Sequence, residues 1–388
     1  MDRNHYEHTL VRQTRVCADI AKAVNEAIAW PIFDQLSLRE LHYIKRVIIV
    51  GCGDSWIAGF AAKPVFEKYA RVRADVVRCI DFSRHLSKNE LGDTPGNPLV
   101  IGISITGNAS RLAEALERAN KYGAQTIGIT NKPTSLCGSL CQHVIPLGLP
   151  EGMEMNPGCN TYNASTAAMM QLALRIGRAK NTISQNEYER LRTAPLRLIS
   201  QFAAKGPDYE QQAFEIAQKW RSVRGFDFVG DYGDYATAYF GLAKAHEGIG
   251  GYSMCSNSED WLCGNRNAPG PASIARLIIA NQNSGSFDRA CEVIRQTVKL
   301  GSPCLVVTDA EKDAFPEGCN VVTTPKSEFS WAYPLVQHHI YDMIALYIRM
   351  LNKETDGYIY RDKEVAPGYS SPALSDGKRI WGSKIEII

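Results

Sequence analysis

Hydroxyl side chains cluster around a glycine in the segment ISITGNAS. Ser104, Thr106 and Ser110 flank Gly107, and an amphipathic helix is predicted to begin directly after them. Hydroxyls together with the free N–H groups of a helix N-terminus can bind an anion such as a sugar phosphate. Asn108 and Ser110 would equally suit ordinary capping of that helix. The segment therefore predicts either an anion site or a helix cap.

Other binding motifs are incomplete in this chain. The turn GCGDSW is close to the dinucleotide fingerprint GxGxxG, but Trp56 stands where the third glycine is needed for close helix packing. No GxxxxGK(S/T) loop for a nucleoside triphosphate occurs. Cys137, Cys141 and His143 have a conceivable metal-ligand spacing, but they fall where cysteines pack as small apolar groups. We therefore expect no metal and no organic cofactor.

The elements that must position the hydroxyl segment occur twice. The first copy reads RVIIVGCGDSWIAGFAAK and continues to PLVIGISITGNAS; the second reads GFDFVGDYGDYATAYFGLAK and continues to RLIIANQNSGSFD at nearly the same spacing. Each copy has apolar runs that enter glycine turns and helices. Continuously apolar strands alternating with helices indicate parallel sheets covered on both faces. We expect two similar α/β domains with a ligand cleft between them.

The apolar runs predict four strands in each copy. In such sheets, ligands bind beyond the carboxyl ends of the strands, which is where the glycine turns and hydroxyl loops fall. The predicted strands are 47–50, 99–103, 126–130 and 144–147 in the first copy, and 226–229, 277–280, 305–308 and 321–323 in the second.

Composition excludes several classes of protein. The chain has 388 residues, which predicts two domains, and 45% of them are hydrophobic. Its net charge of +2 does not suggest a nucleic-acid partner. The segment MDRNHYEHTL has no apolar core of a signal peptide, and no run reaches the length of a membrane span. The eleven cysteines are scattered, as is typical of reduced thiols. We expect a cytoplasmic protein with no membrane association.

The chain resembles the sugar isomerase, or SIS, domain family. The resemblance is carried by GCGDS, by the S-x-T-G loop with its helix, by ITNKPTS after the third strand and by the internal duplication. The overall plan is similar to the isomerase half of glucosamine-6-phosphate synthase and to tandem-domain phosphosugar isomerases, deaminases and deglycases. The resemblance implies an α/β fold of two doubly wound SIS domains, with parallel five-stranded sheets flanked by helices.

The predicted domain boundaries follow from the same pattern. They are N-terminal helices at 1–44, a first SIS domain at 45–180, a helical linker at 181–215, a second SIS domain at 216–350, and a C-terminal tail at 351–388 that closes over the active site.

The resemblance assigns sugar-binding roles to the first copy. Ser104, Thr106 and Ser110 would hold the anionic group of the sugar. The remaining candidates would line the sugar itself: Cys52, Gly53, Asp54 and Ser55 in the glycine turn, and Asn163 and Ser165 in PGCNTYNAS. The resemblance makes a terminal phosphate the leading expectation. Because Ala109 replaces a threonine of the family at the start of the anion helix, another anion, such as a sulfonate, is the alternative.

The resemblance places a catalytic base in GLAKAHEG. Glu247 would move a proton between adjacent carbons of the sugar through an enediol. Lys244, one turn earlier, would neutralise negative charge on an enediolate oxygen, although an exposed helix lysine is the simpler alternative.

Ring opening is the step for which the chain departs from the family. Cys263 stands where the family has a histidine supplied by the neighbouring subunit. Either His246 takes over that step, or Glu259 or Asp260 does, or the substrate is already open. Lys384 matches a lysine that closes over the sugar in the family.

These residues predict an aldose–ketose isomerase acting on a sugar with a terminal anionic group. A fructosamine-6-phosphate deglycase or an amino-sugar-phosphate deaminase/isomerase would use the same chemistry. The resemblance implies a homodimer with the active site near the subunit interface. The first strand is predicted to begin at about residue 46. Because this leaves no room for a glutaminase domain before it, we expect none. A sugar-phosphate sensor without catalysis is the alternative of another class.

Overall fold

The structure, a computed structural model, describes residues 1–91, 97–353 and 356. Within this range the chain divides into two compact units. The first unit comprises residues 19–153 and 161–195. The second unit comprises residues 1–18, 154–160, 196–353 and 356. Each unit is built around one parallel sheet.

The first unit contains a five-stranded sheet with the order β2-β1-β3-β4-β5. All its strand pairs are parallel. The strands are β1 (Arg46–Gly51), β2 (Arg73–Arg78), β3 (Leu99–Ile103), β4 (Gln125–Thr130) and β5 (His143–Pro146).

The second unit contains a five-stranded parallel sheet with the order β10-β9-β8-β6-β7, which is the same order when read from the other edge. Its strands are β6 (Gly225–Val229), β7 (Tyr252–Ser256), β8 (Ile274–Ile279), β9 (Cys304–Thr308) and β10 (Asn320–Thr323).

Helices flank both sheets. In chain order they are α1 (Thr9–Arg15), α2 (Cys17–Asp34), α3 (Leu38–Tyr43), α4 (Asp54–Val65), α5 (Cys79–Arg84), α6 (Ser110–Lys121), α7 (Leu136–Leu140), α8 (Asn160–Ala179), α9 (Gln185–Ala204), α10 (Gly206–Lys219), α11 (Gly233–Gly248), α12 (Ser258–Cys263), α13 (Phe287–Lys299) and α14 (His338–Lys353). The α/β fold with two flanked five-stranded sheets confirms the fold predicted from the sequence.

The central strands form because every side chain on them can be buried. Strands β3, β4, β6 and β9 are buried along their whole length, as expected when helices cover both faces of a parallel sheet. Amphipathic helices complete each core: α6 packs Leu112 and Leu116 against the first sheet, and α13 packs Val293 and Ile294 against the second. The eight strands predicted from apolar runs are all present.

The strand order creates one crevice in each unit. Because β1 lies between β2 and β3, the chain leaves β1 in one direction across the sheet and β3 in the other. Ligands of open α/β sheets bind at this switch point, beyond the carboxyl ends of the two strands. In the first unit these ends lead into the glycine turn after Gly51 and the hydroxyl loop after Ile103.

None of the helices in the described ranges combines the length and the apolar character needed to cross a bilayer.

Candidate functional site

The glycine turn of the first unit is shaped by two close backbone contacts. A Cβ atom on Gly51 would lie 2.9 Å from the backbone of Ser55, so the turn requires glycine there. Gly53 has a φ of +55° and is the N-cap of α4, a conformation that favours glycine. Cys52 and Gly53 are exposed, whereas Asp54 and Ser55 are half-buried. The predicted sugar-lining residues thus lie together at the end of β1.

Cys52 has a thiol partner on the neighbouring strand. Gly51 pairs with Arg78 in the β1–β2 register, so the next residues, Cys52 and Cys79, face each other beyond the strand ends. The Cys79 thiol donates a hydrogen bond that lowers the pKa of Cys52 to about 7, against the opposing effects of burial and of Asp54. The same bond, together with burial, raises the pKa of Cys79. Cys52 is therefore an exposed, partly ionised thiol in the candidate site.

Iodoacetamide at pH 7 is expected to alkylate Cys52 about fivefold faster in the unmodified chain than in a Cys79→Ala variant. Removing the donor returns the Cys52 pKa towards its ordinary value, and the lower intrinsic nucleophilicity of a low-pKa thiolate offsets part of the gain in ionisation. A time course of peptide mapping by mass spectrometry measures the rate. Cys263, which is also exposed, serves as the internal control. An equal rate for Cys52 in both proteins would contradict the hydrogen bond.

The hydroxyl loop of the first unit is not a helix cap. The N-cap of α6 is Ala109, and no side chain in the described part of the chain caps this helix. Ser110 is the first helical residue, only 3% exposed, and its hydroxyl has no hydrogen-bond partner among the described residues. An uncapped helix N-terminus beside a buried, unpartnered hydroxyl is what an anion site needs and a cap does not. The capping alternative is therefore wrong, and the anion site stays a prediction.

The hydroxyl loop is held in one conformation. The backbone N–H of Gly107 donates to the Ser104 hydroxyl, 3.1 Å away. The carbonyl of Gly107 accepts from the N–H of Cys137 at 2.8 Å. Gly107 has a φ of +67° and packs against Ser135. Thr106 is exposed at the tip of the loop.

The two remaining sugar-binding candidates lie near the start of α8. Asn163 and Ser165 are both buried, and the Ser165 hydroxyl has no hydrogen-bond partner among the described residues.

The equivalent turn of the second unit carries a different set of side chains. The residue with positive φ there is Tyr232, at +49°, so it corresponds to Gly53, while Asp231 and Asp234 correspond to Cys52 and Ser55. The Asn281 amide donates to the Asp234 carboxylate at 2.9 Å, and the Ser258 N–H donates to Asp231 at 2.9 Å. This crevice is filled by internal hydrogen bonds.

The two crevices differ in the charge of their side chains. Asp231 and Asp309 both raise the pKa of Asp234, so three carboxylates lie close together at the second-unit crevice. Asp309 follows β9, and the residue at that place in the first unit is Asn131. The first-unit crevice therefore has a thiol, a hydroxyl and an amide at these three positions, in Cys52, Ser55 and Asn131, with Asp54 beside them. We therefore expect an anionic ligand at the first unit, since repulsion from the three carboxylates disfavours an anion at the second.

Replacing Asp234 with asparagine is expected to stabilise the chain at pH 8. Burial raises the pKa of Asp234 to about 7, so the folded chain binds a proton that the unfolded chain has already released. Stability is therefore lost as pH rises from about 4 to about 7, by up to about 4 kcal/mol, and Asp234→Asn should remove this loss. Urea unfolding between pH 4 and pH 8 measures it. The exposed Asp288, changed to asparagine, is the control, and an unaltered pH slope in Asp234→Asn would refute the prediction.

Helix α11 presents the predicted base next to a buried lysine. The Nζ atom of Lys244 lies 2.6 Å from Oε2 of Glu247, one turn away. The Lys244 side chain is 0% exposed and that of Glu247 is 28% exposed. The ammonium group also lies 4.7 Å from the ring centroid of Phe240. Glu247 is thus a half-buried carboxylate fixed from inside, and the alternative of an exposed Lys244 is wrong.

The candidates for ring opening are all exposed. Cys263 ends α12, and His246 lies on the exposed face of α11. Glu259 forms an ion pair with Arg289. The Asp260 carboxylate accepts a hydrogen bond from the side-chain amide of the cap residue Asn257, and the Asp260 N–H donates to the side-chain oxygen of Asn257. Lys384 lies outside the described residues, as does most of the predicted closing tail.

A buried polar cluster beside Lys244 was not predicted from the sequence. Both His338 and His339 are completely buried. His338 pairs with Asp342 at 2.7 Å, and His339 with the Thr14 hydroxyl at 3.0 Å. The side chains of Cys159, His339 and Asp342 lie within 4.8 Å of one another and are the described group that could hold a metal ion. The sequence signal was the helical i, i+4 spacing of His338 and Asp342.

The cysteine–histidine segment of the first unit is a packing element. The Cys137 thiol donates to the carbonyl of Ala109, and the Cys141 thiol donates to that of Cys137. His143 lies beside the Gln125 amide. The thiols of Cys137 and Cys141 are thus bonded to backbone carbonyls near the hydroxyl loop.

The fold defines a class of α/β proteins that have a glycine turn and a hydroxyl loop at a sheet switch point. Residues 40–175 match the sequence profile of the SIS domain, so this segment belongs to the SIS domain family. The predicted resemblance is confirmed for the first sheet.

Curated relatives extend the similarity. The chain is 28% identical over 207 residues to glutamine–fructose-6-phosphate aminotransferase (isomerizing) of Gloeobacter violaceus, an alignment covering 53% of this chain and 32% of that protein. It is 22% identical over 376 residues to the enzyme of the same name from Zymomonas mobilis, covering 92% of this chain and 58% of the relative. The chain thus spans about a third to somewhat over half of these relatives.

Solved structures share the fold across both units. The C-terminal domain of glucosamine-fructose-6-phosphate aminotransferase from Francisella tularensis has a TM-score of 0.76 at 17% identity, covering 91% of this chain and 98% of that one. Tagatose-6-phosphate ketose/aldose isomerase from Escherichia coli has a TM-score of 0.65 at 13% identity, covering 88% and 92%. At these identities the likeness establishes the fold alone.

Proposed function

We propose that this chain is an aldose–ketose isomerase for a sugar with a terminal anionic group, most simply a 6-phosphosugar, with Glu247 as the proton-transfer base. The observation that carries the proposal is the ion pair between the buried Lys244 and the half-exposed Glu247, 2.6 Å apart. A carboxylate anchored by an internal ammonium group keeps its place, and 28% of the Glu247 side chain is exposed to solvent. The SIS family match of residues 40–175 supports a sugar as the substrate.

The anionic group of the sugar is proposed to bind at the hydroxyl loop. Ser110 offers a buried hydroxyl, and the uncapped first turn of α6 offers backbone N–H groups. Charge-assisted hydrogen bonds contribute about 1.5–3 kcal/mol each, so three or four of them suffice to position a phosphate. Ser104 and Thr106 complete the loop, while Cys52, Gly53, Asp54, Ser55, Asn163 and Ser165 are proposed to surround the sugar.

The proposed reaction is a proton transfer between neighbouring carbons. Glu247 removes the proton from the carbon beside the carbonyl, and an enediolate forms. The protonated Glu247 then returns this proton to the former carbonyl carbon, while the hydroxyl proton of the neighbouring carbon passes to the former carbonyl oxygen and leaves the new carbonyl group behind. Lys244 is too deeply buried to be assigned to the enediolate oxygen, so we assign it the role of positioning Glu247. Ring opening is proposed to fall to His246, Cys263, Glu259 or Asp260, or to be unnecessary for an open-chain substrate, and Lys384 to close over the sugar.

Proton exchange tests the proposal. The full chain is incubated in deuterated water with fructose 6-phosphate, tagatose 6-phosphate, glucosamine 6-phosphate and a fructosamine 6-phosphate, and the C1 and C2 protons are followed by NMR. Enzyme-dependent exchange supports an isomerase, and release of ammonia or of a free amine identifies the deaminase or the deglycase. Saturable binding of these sugars without any exchange would instead establish the sensor. The predicted homodimer is checked by sedimentation, and the cytoplasmic location remains part of the proposal.

A further inference from the structure

A cavity in the first unit is lined by residues that have no assigned role in sugar binding. It has a volume of about 340 Å³ and lies between α2, α8 and α9. Cavities of this size accommodate small molecules. Its walls include Ile28, Phe33, Gln171, Arg175, Tyr188 and Arg192. We call it the helical pocket.

Arg175 of α8 is the central charged group of the helical pocket. It is 8% exposed, and its guanidinium carbon lies 4.3 Å from the ring centroid of Phe33. Its Nε atom is buried and has no hydrogen-bond partner among the described residues. Burial lowers the pKa of Arg175, and Arg178 lowers it further, while Tyr188 raises it. A buried guanidinium without a carboxylate partner is costly unless a ligand supplies the negative charge.

The other charged residues of the helical pocket do not supply a negative partner for Arg175. Arg178 donates to the side-chain oxygens of Gln185 and Asn181, at 2.9 and 3.0 Å. Within the described ranges the wall has a single carboxylate, Glu189, which pairs with Arg192. The described wall therefore carries three guanidinium groups against one carboxylate, and that carboxylate is already engaged.

The walls also select the shape of a ligand. Phe33 covers one side of Arg175, and the ring of Tyr188 lines the pocket together with Ile28 and Ile32. Guanidinium groups bind phosphates and carboxylates through paired N–H donors, and aromatic walls favour flat apolar groups. We propose that the helical pocket binds a small phosphate or carboxylate attached to a flat, mostly apolar body, with Arg175 as its charge partner. This site is independent of the proposed sugar chemistry.

Calorimetric titration of the full chain with phenyl phosphate tests the proposal. We expect saturable binding, and binding at least tenfold weaker both for inorganic phosphate and for phenol, because each lacks half of the recognised groups. Arg175→Met, which keeps the length of the side chain and removes its charge, should weaken phenyl phosphate binding at least tenfold. Arg197→Met on α9, where the arginine is exposed and outside the pocket wall, should leave it unchanged.

A further variant distinguishes the helical pocket from the hydroxyl loop. Ser110→Ala should leave phenyl phosphate binding to the pocket intact, so binding lost in Ser110→Ala and kept in Arg175→Met would overturn the proposal. Absence of saturable binding to the unmodified chain would overturn it as well. Should thermal melting show that Arg175→Met is unfolded, the half-buried Arg178→Met takes its place, and an unchanged affinity in that folded variant would be decisive against the pocket.

Discussion

Replacing Glu247 with glutamine is expected to lower the rate of sugar proton exchange by about 10²–10⁴-fold, the usual contribution of general acid–base catalysis. Glutamine preserves the length of the side chain, and its carbonyl oxygen can still accept a hydrogen bond from Lys244, 2.6 Å away in the unmodified chain. It cannot take up a proton from carbon. NMR measurement of deuterium incorporation at C1 and C2, at saturating sugar, isolates this step from binding.

The matched control for Glu247→Gln is Glu215→Gln on α10. Glu215 is an exposed helical carboxylate that accepts a hydrogen bond from the neighbouring Gln211 at 2.8 Å, so the same chemical change is made away from the proposed site. Exchange in this control should equal that of the unmodified chain. If Glu247→Gln exchanged protons at the same rate as the control, another residue would have to be the base.

Replacing Gly107 with alanine is expected to destabilise the chain by about 3 kcal/mol and to abolish binding of the sugar anion. A Cβ atom at this position would lie 1.7 Å from Oγ and 2.4 Å from Cβ of Ser135. Rotation of the serine hydroxyl cannot relieve the second contact, so the backbone must move. The positive φ of +67° contributes about 1 kcal/mol of the cost, and overpacking contributes about 2 kcal/mol. Urea unfolding and sugar-phosphate titration measure the two effects.

Gly123→Ala is the control that distinguishes the cost of backbone strain from the cost of the steric clash with Ser135. Gly123 has a φ of +79°, and no described atom lies within 4 Å of the place that a Cβ would take, so alanine there meets the strain without the clash. It should cost about 1 kcal/mol and leave sugar binding intact. An equal loss of stability in the two variants would mean that the packing of Gly107 against Ser135 does not hold the hydroxyl loop.

The central strands could be predicted from the sequence, whereas one strand at a sheet edge of each unit could not. Strand β3 is apolar throughout, and its predicted bounds are those observed. Strands β2 and β7, with the sequences RADVVR and YSMCS, are mostly half-buried. Burial on one side permits polar residues, which removes the apolar run that identifies a strand. Pairing with β1 and β6 is what makes these segments strands.

The position of the N-terminal residues was also beyond local patterns. The helical spacing of 1–18 predicts helices, and α1 is present. The structure places this segment in the second unit, where His8 is buried against the ring of Tyr347 and Thr14 bonds His339. Contacts between residues more than three hundred positions apart leave no trace in the periodicity of either segment.

By itself the sequence determined the alternation of strands and helices, the two turns, and the residue types available at each, because local periodicity and turn chemistry depend on near neighbours. The tertiary structure decided how charge is distributed between the two similar crevices. Asp231 and Asp234 share the turn after β6, whereas Asp309 follows β9, and folding brings the three carboxylates together at the second crevice. Electrostatic repulsion acts through space, and the distances that set its strength are a property of the fold.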